Sequence, residues 1–253
     1  MPDILRELVA GTRALLAAGY YDQQGDGAPG PSLVRALERH PYFPIIAEVK
    51  LASPSRGVIA NHAPEALIDA YVKGGAAGLS VLTEPRRFGG SLDTLAKAAS
   101  TGRPVLMKDF VIDERQLRAG ASRGASAVLL IQKVFAHGLA QGRDGLIELA
   151  HAHGLEVVLE AGDLNELGKA RGSEADVIGI NQRDLSTMSI DASLGERLLV
   201  PADDRPVVVM SAIERREQVM RLRDRGATAV LVGSSLSSAN DPNAALAALA
   251  VPR

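Results

Sequence analysis

A chain of 253 residues, 46% of them hydrophobic and with a net charge of -2, has room for one large α/β barrel or two modest domains, and no break in composition argues for the second. Its lysines and arginines are scattered, which leaves no footprint for nucleic acid or an acidic membrane surface but still permits a local cluster to hold a small anion. The absence of cysteine excludes disulfides, thiolate metal sites and cysteine nucleophiles; with no apolar leader and no apolar run of membrane-spanning length, a cytoplasmic protein is expected.

In chain order, "DILRELVAGTRALLAAG" predicts a short N-terminal helix, and "YYDQQGDGAPGPS", rich in Gly, Pro and polar residues, predicts a mobile connector rather than part of a core. These two make up residues 1–31, an extension to a single domain spanning 1–253. Eight short apolar runs follow: "PIIAEVK", "AGLSVLT", "PVLMKDF", "SAVLLIQ", "EVVLEA", "DVIGIN", "PVVVMSA" and "AVLVGSS". Segments of helical length lie between them, among them "PEALIDAYVKGG", "DERQLRAGASRG", "GRDGLIELAHAHG" and "ERREQVMRLRDRG". Strands alternating with helices imply parallel pairing, and eight units in this length favour a closed (β/α)8 TIM barrel. A Rossmann-like open sheet lacks support, because no G-x-G-x-x-G or P-loop follows any strand. Gly124, Gly154 and Gly226 end helices as left-handed caps. Asp241 and Pro242 read as the cap and first turn of the helix that follows the eighth strand.

Barrel enzymes carry their chemistry at the C-terminal ends of the strands. Those positions hold Glu48 and Lys50, Lys108, Glu160, Asn181 with Arg183, Ser211, and Gly233 with Ser234. Residues two apart on a strand share a face, so Glu48 and Lys50 are either an exposed ion pair or part of a site. Any one of these residues alone reads as a solvated strand end; charged and amide groups recurring at equivalent places read as a site. Gly233 and Ser234 suit an anion beside the last strands, although an ordinary turn has the same letters. Phe88 and Phe110 suit a flat apolar substrate or the core. His151 and His153 are spaced unlike a metal pair and read as a solvated helix end. Ser53, Ser55 and Ser211 lack a strand-end histidine, which disfavours a hydrolase triad.

The strings "IIAEVKLASPSRG", "YVKGGAAGLSVLTEPRRFGGSLDTL", "PVLMKDFVIDERQL", "GASAVLLI", "VIGINQRDLSTMSID" and "AVLVGSSLSSANDPNAALAAL" closely resemble the indole-3-glycerol phosphate synthase family of tryptophan biosynthesis. The likeness covers nearly everything after about residue 32. It implies a barrel without metal or cofactor, acting on a small phosphorylated anthranilate-derived aminodeoxyribulose, as a monomer or weak homo-oligomer with no nucleic-acid or membrane partner. The resemblance implies that Lys108 is the general acid of ring closure and Glu160 the acid/base group of the dehydration. Lys50 would bind the carboxylate as the "SPSRG" loop closes, and Glu48 and Asn181 would orient the sugar hydroxyls. Ser53, Arg183, Gly233 and Ser234 would hold the phosphate, with Ser211 beside them; Phe88, Pro54, Phe110 and Leu231 would pack around the aromatic ring. A lysine among other cations and apolar walls has its pKa pushed down, which suits it to proton transfer.

The likeness has departures. "VMSAI" stands where the family has Glu-Ser-Gly, so Met210 replaces an acid and Ala212 a glycine whose backbone would approach the phosphate, with a cost if φ is positive there. "LEAGD" departs from Glu-Val-His, and Leu51 stands where a basic residue is common. Two alternatives therefore stand beside the synthase: an enzyme acting on a modified anthranilate or related amino-sugar phosphate, with Met210 making room for an apolar substituent, and a non-catalytic barrel that binds phosphate esters.

Overall fold

A computed structural model of the chain describes residues 3–22, 25–54, 57–199 and 205–253. Eight parallel strands close into a barrel: β1 (Ile45–Val49), β2 (Gly78–Leu82), β3 (Val105–Lys108), β4 (Ala127–Ile131), β5 (Glu156–Ala161), β6 (Val177–Asn181), β7 (Val207–Met210) and β8 (Ala229–Val232), with β8 pairing back onto β1. Each predicted apolar run contains one strand. Alternation sorts the side chains into two sets. Ile46, Leu106, Leu129, Val158, Val208 and Leu231 fill the interior. Ile45, Ala47, Val81, Met107, Leu130, Leu159, Ile180, Val209 and Val230 belong to a second cluster, shared with the helices. A strand buried on both faces has no polar side, which is why these runs read as continuously apolar.

The layer of helices comprises α3 (Pro64–Lys73), α4 (Pro85–Phe88), α5 (Leu92–Ala99), α6 (Glu114–Ser122), α7 (Gln132–Ala136), α8 (Arg143–Ala152), α9 (Leu164–Arg171), α10 (Leu194–Leu198), α11 (Arg216–Asp224), α12 (Ser234–Ser237) and α13 (Pro242–Leu249). Gly124, Gly154 and Gly226 have φ of 81°, 75° and 96°, the left-handed conformation their places before strands require. Asp241 caps α13, accepting from Ala244 N at 3.0 Å, but α12 intervenes between it and β8, where a single helix was expected.

Two N-terminal helices close the two ends of the barrel. In α1 (Ile4–Ala17), capped by Asp3, the buried residues Leu5, Leu8, Val9, Thr12, Leu15 and Leu16 recur at helical spacing. Leu5, Leu8 and Val9 join the interior cluster from the C-terminal end of the strands, where Ile4 N donates to Ser186 O. At the other end sits α2 (Leu33–Arg39). Leu33 and Leu37, fully buried, complete the interior, and Glu156 at the start of β5 accepts from Leu33 N at 2.7 Å, Val34 N at 3.0 Å and the Ser32 hydroxyl.

The connector between these helices corrects the sequence reading. Gln23 and Gln24 lie outside the described residues, but their neighbours are packed. Tyr20–Asp22 form a 3-10 turn in which Tyr21 is buried and donates to Asp109 Oδ2 at 2.8 Å, while Tyr20 donates to Thr83 O at 2.9 Å. Gly27 N and Gly30 N donate to Ser122 O and Ala125 O. A Cβ on Gly25, Gly27 or Gly30 would lie 2.5, 2.8 or 2.7 Å from the nearest atom of the α6–β4 connection. These glycines serve close backbone approach rather than looseness.

Candidate active site

The ends of β1 and β3 bring three charged groups into one row. Lys50 Nζ lies 3.3 Å from Glu48 Oε1, and Lys108 Nζ 3.6 Å from Glu48 Oε2. Burial works against the charge of the Glu48 carboxyl, yet the two ammonium groups outweigh it and hold its pKa below the usual carboxylate range. Burial pushes the Lys50 ammonium down; Glu48 opposes this, while Lys108 and Arg183 add to it. Two unit charges 3.6 Å apart attract by about 4–5 kcal/mol at an effective dielectric of about 20, and the desolvation of each ion costs several kcal/mol. A row of this kind adds little stability, so its value lies in what it presents to a ligand.

Opposite stands Glu160 at the end of β5, 3% exposed, with Oε2 lacking a hydrogen-bond partner among the described residues. Burial raises its pKa, against the pull of Lys108 and the Asn181 side-chain amide, with Glu48 adding to the rise. A neutral carboxyl group can donate as well as accept. Asn181 is held by its oxygen, which accepts from Ser211 Oγ at 2.7 Å and Arg183 N at 2.9 Å.

One cavity, about 680 Å³ and open to solvent, contains Lys50, Ser53, Lys108, Glu160, Asn181, Arg183, Ser211 and Ser234. Its apolar wall is Leu8, Leu82, Phe88, Phe110, Leu129, Ile131 and Leu185. The rings of Phe88 and Phe110 are 6.0 Å apart at 40°. Phe88 is placed by Glu84, whose carboxylate caps α4 and accepts from Arg86 N, Arg87 N and Phe88 N. A second cavity shares Lys50, Lys108, Arg183, Ser211 and Ser234 with the first and adds Glu48, Ala212, Gly233 and Ser235. A Cβ at Gly233 would stand 2.3 Å from Glu48 Oε1, so any larger residue there would have to displace the carboxylate that both lysines meet. The structure therefore converges both lysines, both glutamates and the anion-seat candidates. It does not so place Pro54, which lies half-buried in the turn of the Ala52–Ser53/Gly57–Val58 hairpin and lines neither cavity; Leu231 lines the second cavity and shares a buried apolar cluster with Phe88 and Phe110. Ser55 and Arg56 of the expected mobile loop lie outside the described residues.

Among the described residues no three His, Asp or Glu side chains group as metal ligands. His151 and His153 are paired rather than merely solvated, with Asp176 at 2.9 Å and Glu114 at 3.2 Å.

The family model for indole-3-glycerol phosphate synthase matches residues 19–249. The chain belongs to the indole-3-glycerol phosphate synthase family. A relative with that name from Mycolicibacterium smegmatis is 36% identical over 248 residues, covering 97% of this chain and 90% of its own length. One from Beutenbergia cavernae is 38% identical over 257 residues, covering 97% and 94%. One from Campylobacter hominis is 38% identical over 220 residues, covering 85% and 83%. Solved structures share the fold at lower identity. A 3-hexulose-6-phosphate synthase superposes with a TM-score of 0.61 at 16% identity, over 81% of this chain and 97% of that one. The N-acetylmannosamine-6-phosphate 2-epimerase from Clostridium perfringens does so at 0.61 and 16%, over 79% and 89%.

Against this family the departures acquire shapes. Met210 is 1% exposed and packs toward Gly179, its Cε 2.9 Å from where a Cβ on that glycine would be, and it lines the second cavity. Ser211 and Ala212 have φ of 73° and 56°, the left-handed region that a family glycine adopts without cost. Among the site residues that escaped the sequence reading are Leu8 and Asp109. Leu8 lies on an element remote from the strands. Asp109 directly follows Lys108 and faces Tyr21, Thr83 and its own neighbour's N–H, a parity that strand-end reading assigns to the outer layer. Lys133, beyond its strand in α7, was missed as well, and it lines neither cavity.

Proposed function

We propose that this chain is an indole-3-glycerol phosphate synthase, a carboxy-lyase that converts 1-(2-carboxyphenylamino)-1-deoxyribulose 5-phosphate into indole-3-glycerol phosphate, carbon dioxide and water for tryptophan synthesis. The observation that carries the reading is the pair of ammonium groups on the single carboxylate of Glu48, in the same cavity as the unpartnered carboxyl oxygen of Glu160.

In this reading the phosphate lies against Gly233, Ser234, Ser211, Ser53 and Arg183, and the aromatic ring against Phe88 and Phe110. Glu48 and Asn181 orient the sugar hydroxyls and Lys50 pairs with the carboxylate. The ring carbon that bears the carboxylate attacks the ketone carbon, and the ketone oxygen takes a proton from Lys108. The carboxylate then leaves as carbon dioxide, and its bonding electrons restore the aromatic ring; stripping it of water favours this step. Finally the hydroxyl leaves C3 as water and a proton leaves C2, transfers for which Glu160 is the acid/base group. Burial that keeps Glu160 protonated above the ordinary carboxylate range fits it to donate.

Turnover is read from indole fluorescence. General acid catalysis contributes about 10²–10⁴-fold, so Lys108→Ala should lose at least about 10²-fold in kcat while its circular dichroism stays native. A variant that keeps most of the activity refutes the role of Lys108, and a wild-type protein that leaves the substrate unchanged refutes the function.

A further inference from the structure

Lys133 stands outside the row formed by Glu48, Lys50 and Lys108, and the proposed reaction gives it no part. Its ammonium, 14% exposed, lies 3.0 Å from Asp184 Oδ1 and 3.9 Å from Glu166 Oε1. Each partner holds a loop. Glu166 Oε2 accepts from the N–H of Gly162, two residues beyond Glu160, at 2.7 Å. Asp184 organises the turn after β6: its carboxylate accepts from Ser186 N at 2.8 Å, its own N–H donates to Ser189 O at 2.9 Å, and its carbonyl accepts from Met188 N at 2.7 Å. The Arg183 guanidinium donates to Met188 O at 3.0 Å, so this turn sets where Arg183 points. One half-buried ammonium therefore joins the loop that follows Glu160 to the loop that carries Arg183.

We infer that Lys133 is a positioning residue for the reaction, clasping the loops after β5 and β6 so that Arg183 and Glu160 keep a fixed relation, and presenting Glu160 with a positive charge independent of Lys108. The inference rests on the proposed function, in which Glu160 exchanges protons. The groups that act on Glu160 are Lys108 from β3, Glu48 from β1, Lys133 from α7, Glu166 from α9 and the Asn181 amide from β6. Removal of one cation from this set leaves the charged carboxylate less favoured.

Steady-state kinetics over pH on the full chain test this. Lys133→Met should move the limb of the pH–rate profile that belongs to Glu160 upward. Lys133→Arg, which keeps the charge, should leave that limb where it is. Asp184→Asn cuts one tie and retains the cation, so it should raise KM about threefold to tenfold with the limb in place. It also tests the clasp whether or not Lys133→Met folds. A limb that stays put in Lys133→Met, a limb that moves as far in Lys133→Arg, or an unchanged KM in Asp184→Asn overturns the inference. Wild-type protein with no turnover would instead overturn the function beneath it, a distinguishable failure.

Discussion

Ser211 and Ala212 hold consecutive left-handed conformations at the end of β7, beside the proposed phosphate seat. Each such residue with a Cβ costs roughly 1–2 kcal/mol. The bonds that fix them are on hand: Gln182 Nε2 donates to Ser211 O at 2.7 Å, Gln218 Nε2 to Ala212 O at 2.9 Å, and Ser211 Oγ to Asn181 Oδ1. The strain is held because these bonds orient Asn181 and, through it, the N–H of Arg183. Glycine at 212 would remove the clash but add freedom to the unfolded chain worth about 0.5–1 kcal/mol. Ala212→Gly should therefore gain a net of about 0.5–1 kcal/mol in urea unfolding; a loss of stability would show that the left-handed residue is unstrained. The cost at 212 was legible from the sequence once a glycine was known to be usual there. The conformation of Ser211 was not, since serine occupies that position in the family as well.

The N-terminal segment was misread at the scale of elements. Its glycines, prolines and polar letters describe a solvated connector equally well, because composition does not distinguish glycine used for freedom from glycine used for contact. What decides is Tyr21, which reaches a carboxylate distant in sequence: Asp109 takes hydrogen bonds from Tyr21, Thr83 and the Phe110 N–H, with no cation in an ion pair among the described residues. Burial accordingly pushes Asp109 up to about 6. A folded-state pKa above the unfolded value means that folding favours the proton. The protein is then most stable with respect to this group below about pH 4, and loses that contribution as pH rises to about 6, by roughly 3 kcal/mol in all. Asp109→Asn lacks the titration. The difference in unfolding free energy, wild type minus Asp109→Asn, should fall between pH 4 and pH 7. A pH-independent difference would remove Asp109 as the titrating group.

As a whole molecule the barrel divides its labour between two ends, each closed by a helix that precedes the first strand. The C-terminal end carries the charged row, the aromatic wall and Leu8 of α1; the other end carries α2, held by Glu156. A change at the closed end should touch stability alone. Glu156→Ala strips a charged cap from two backbone N–H groups and should lower unfolding free energy by about 1–2 kcal/mol with kcat unchanged; a fall in kcat would mean that the two ends are coupled. What the sequence by itself determined was the eightfold alternation, the parity of each strand and the set of groups at the strand ends. Period-2 patterning and crossover length are local properties, and Glu48, Lys50, Lys108, Glu160 and Asn181 follow from them. Only the tertiary structure decided that Glu48 bridges both lysines, that Leu231 serves the second cavity and Pro54 neither, and that Tyr21, Asp109 and Lys133 belong to the site's support. Those facts are distances between groups far apart along the chain, set by closure of the barrel and by how its two plugs seat, and no local pattern of letters encodes them.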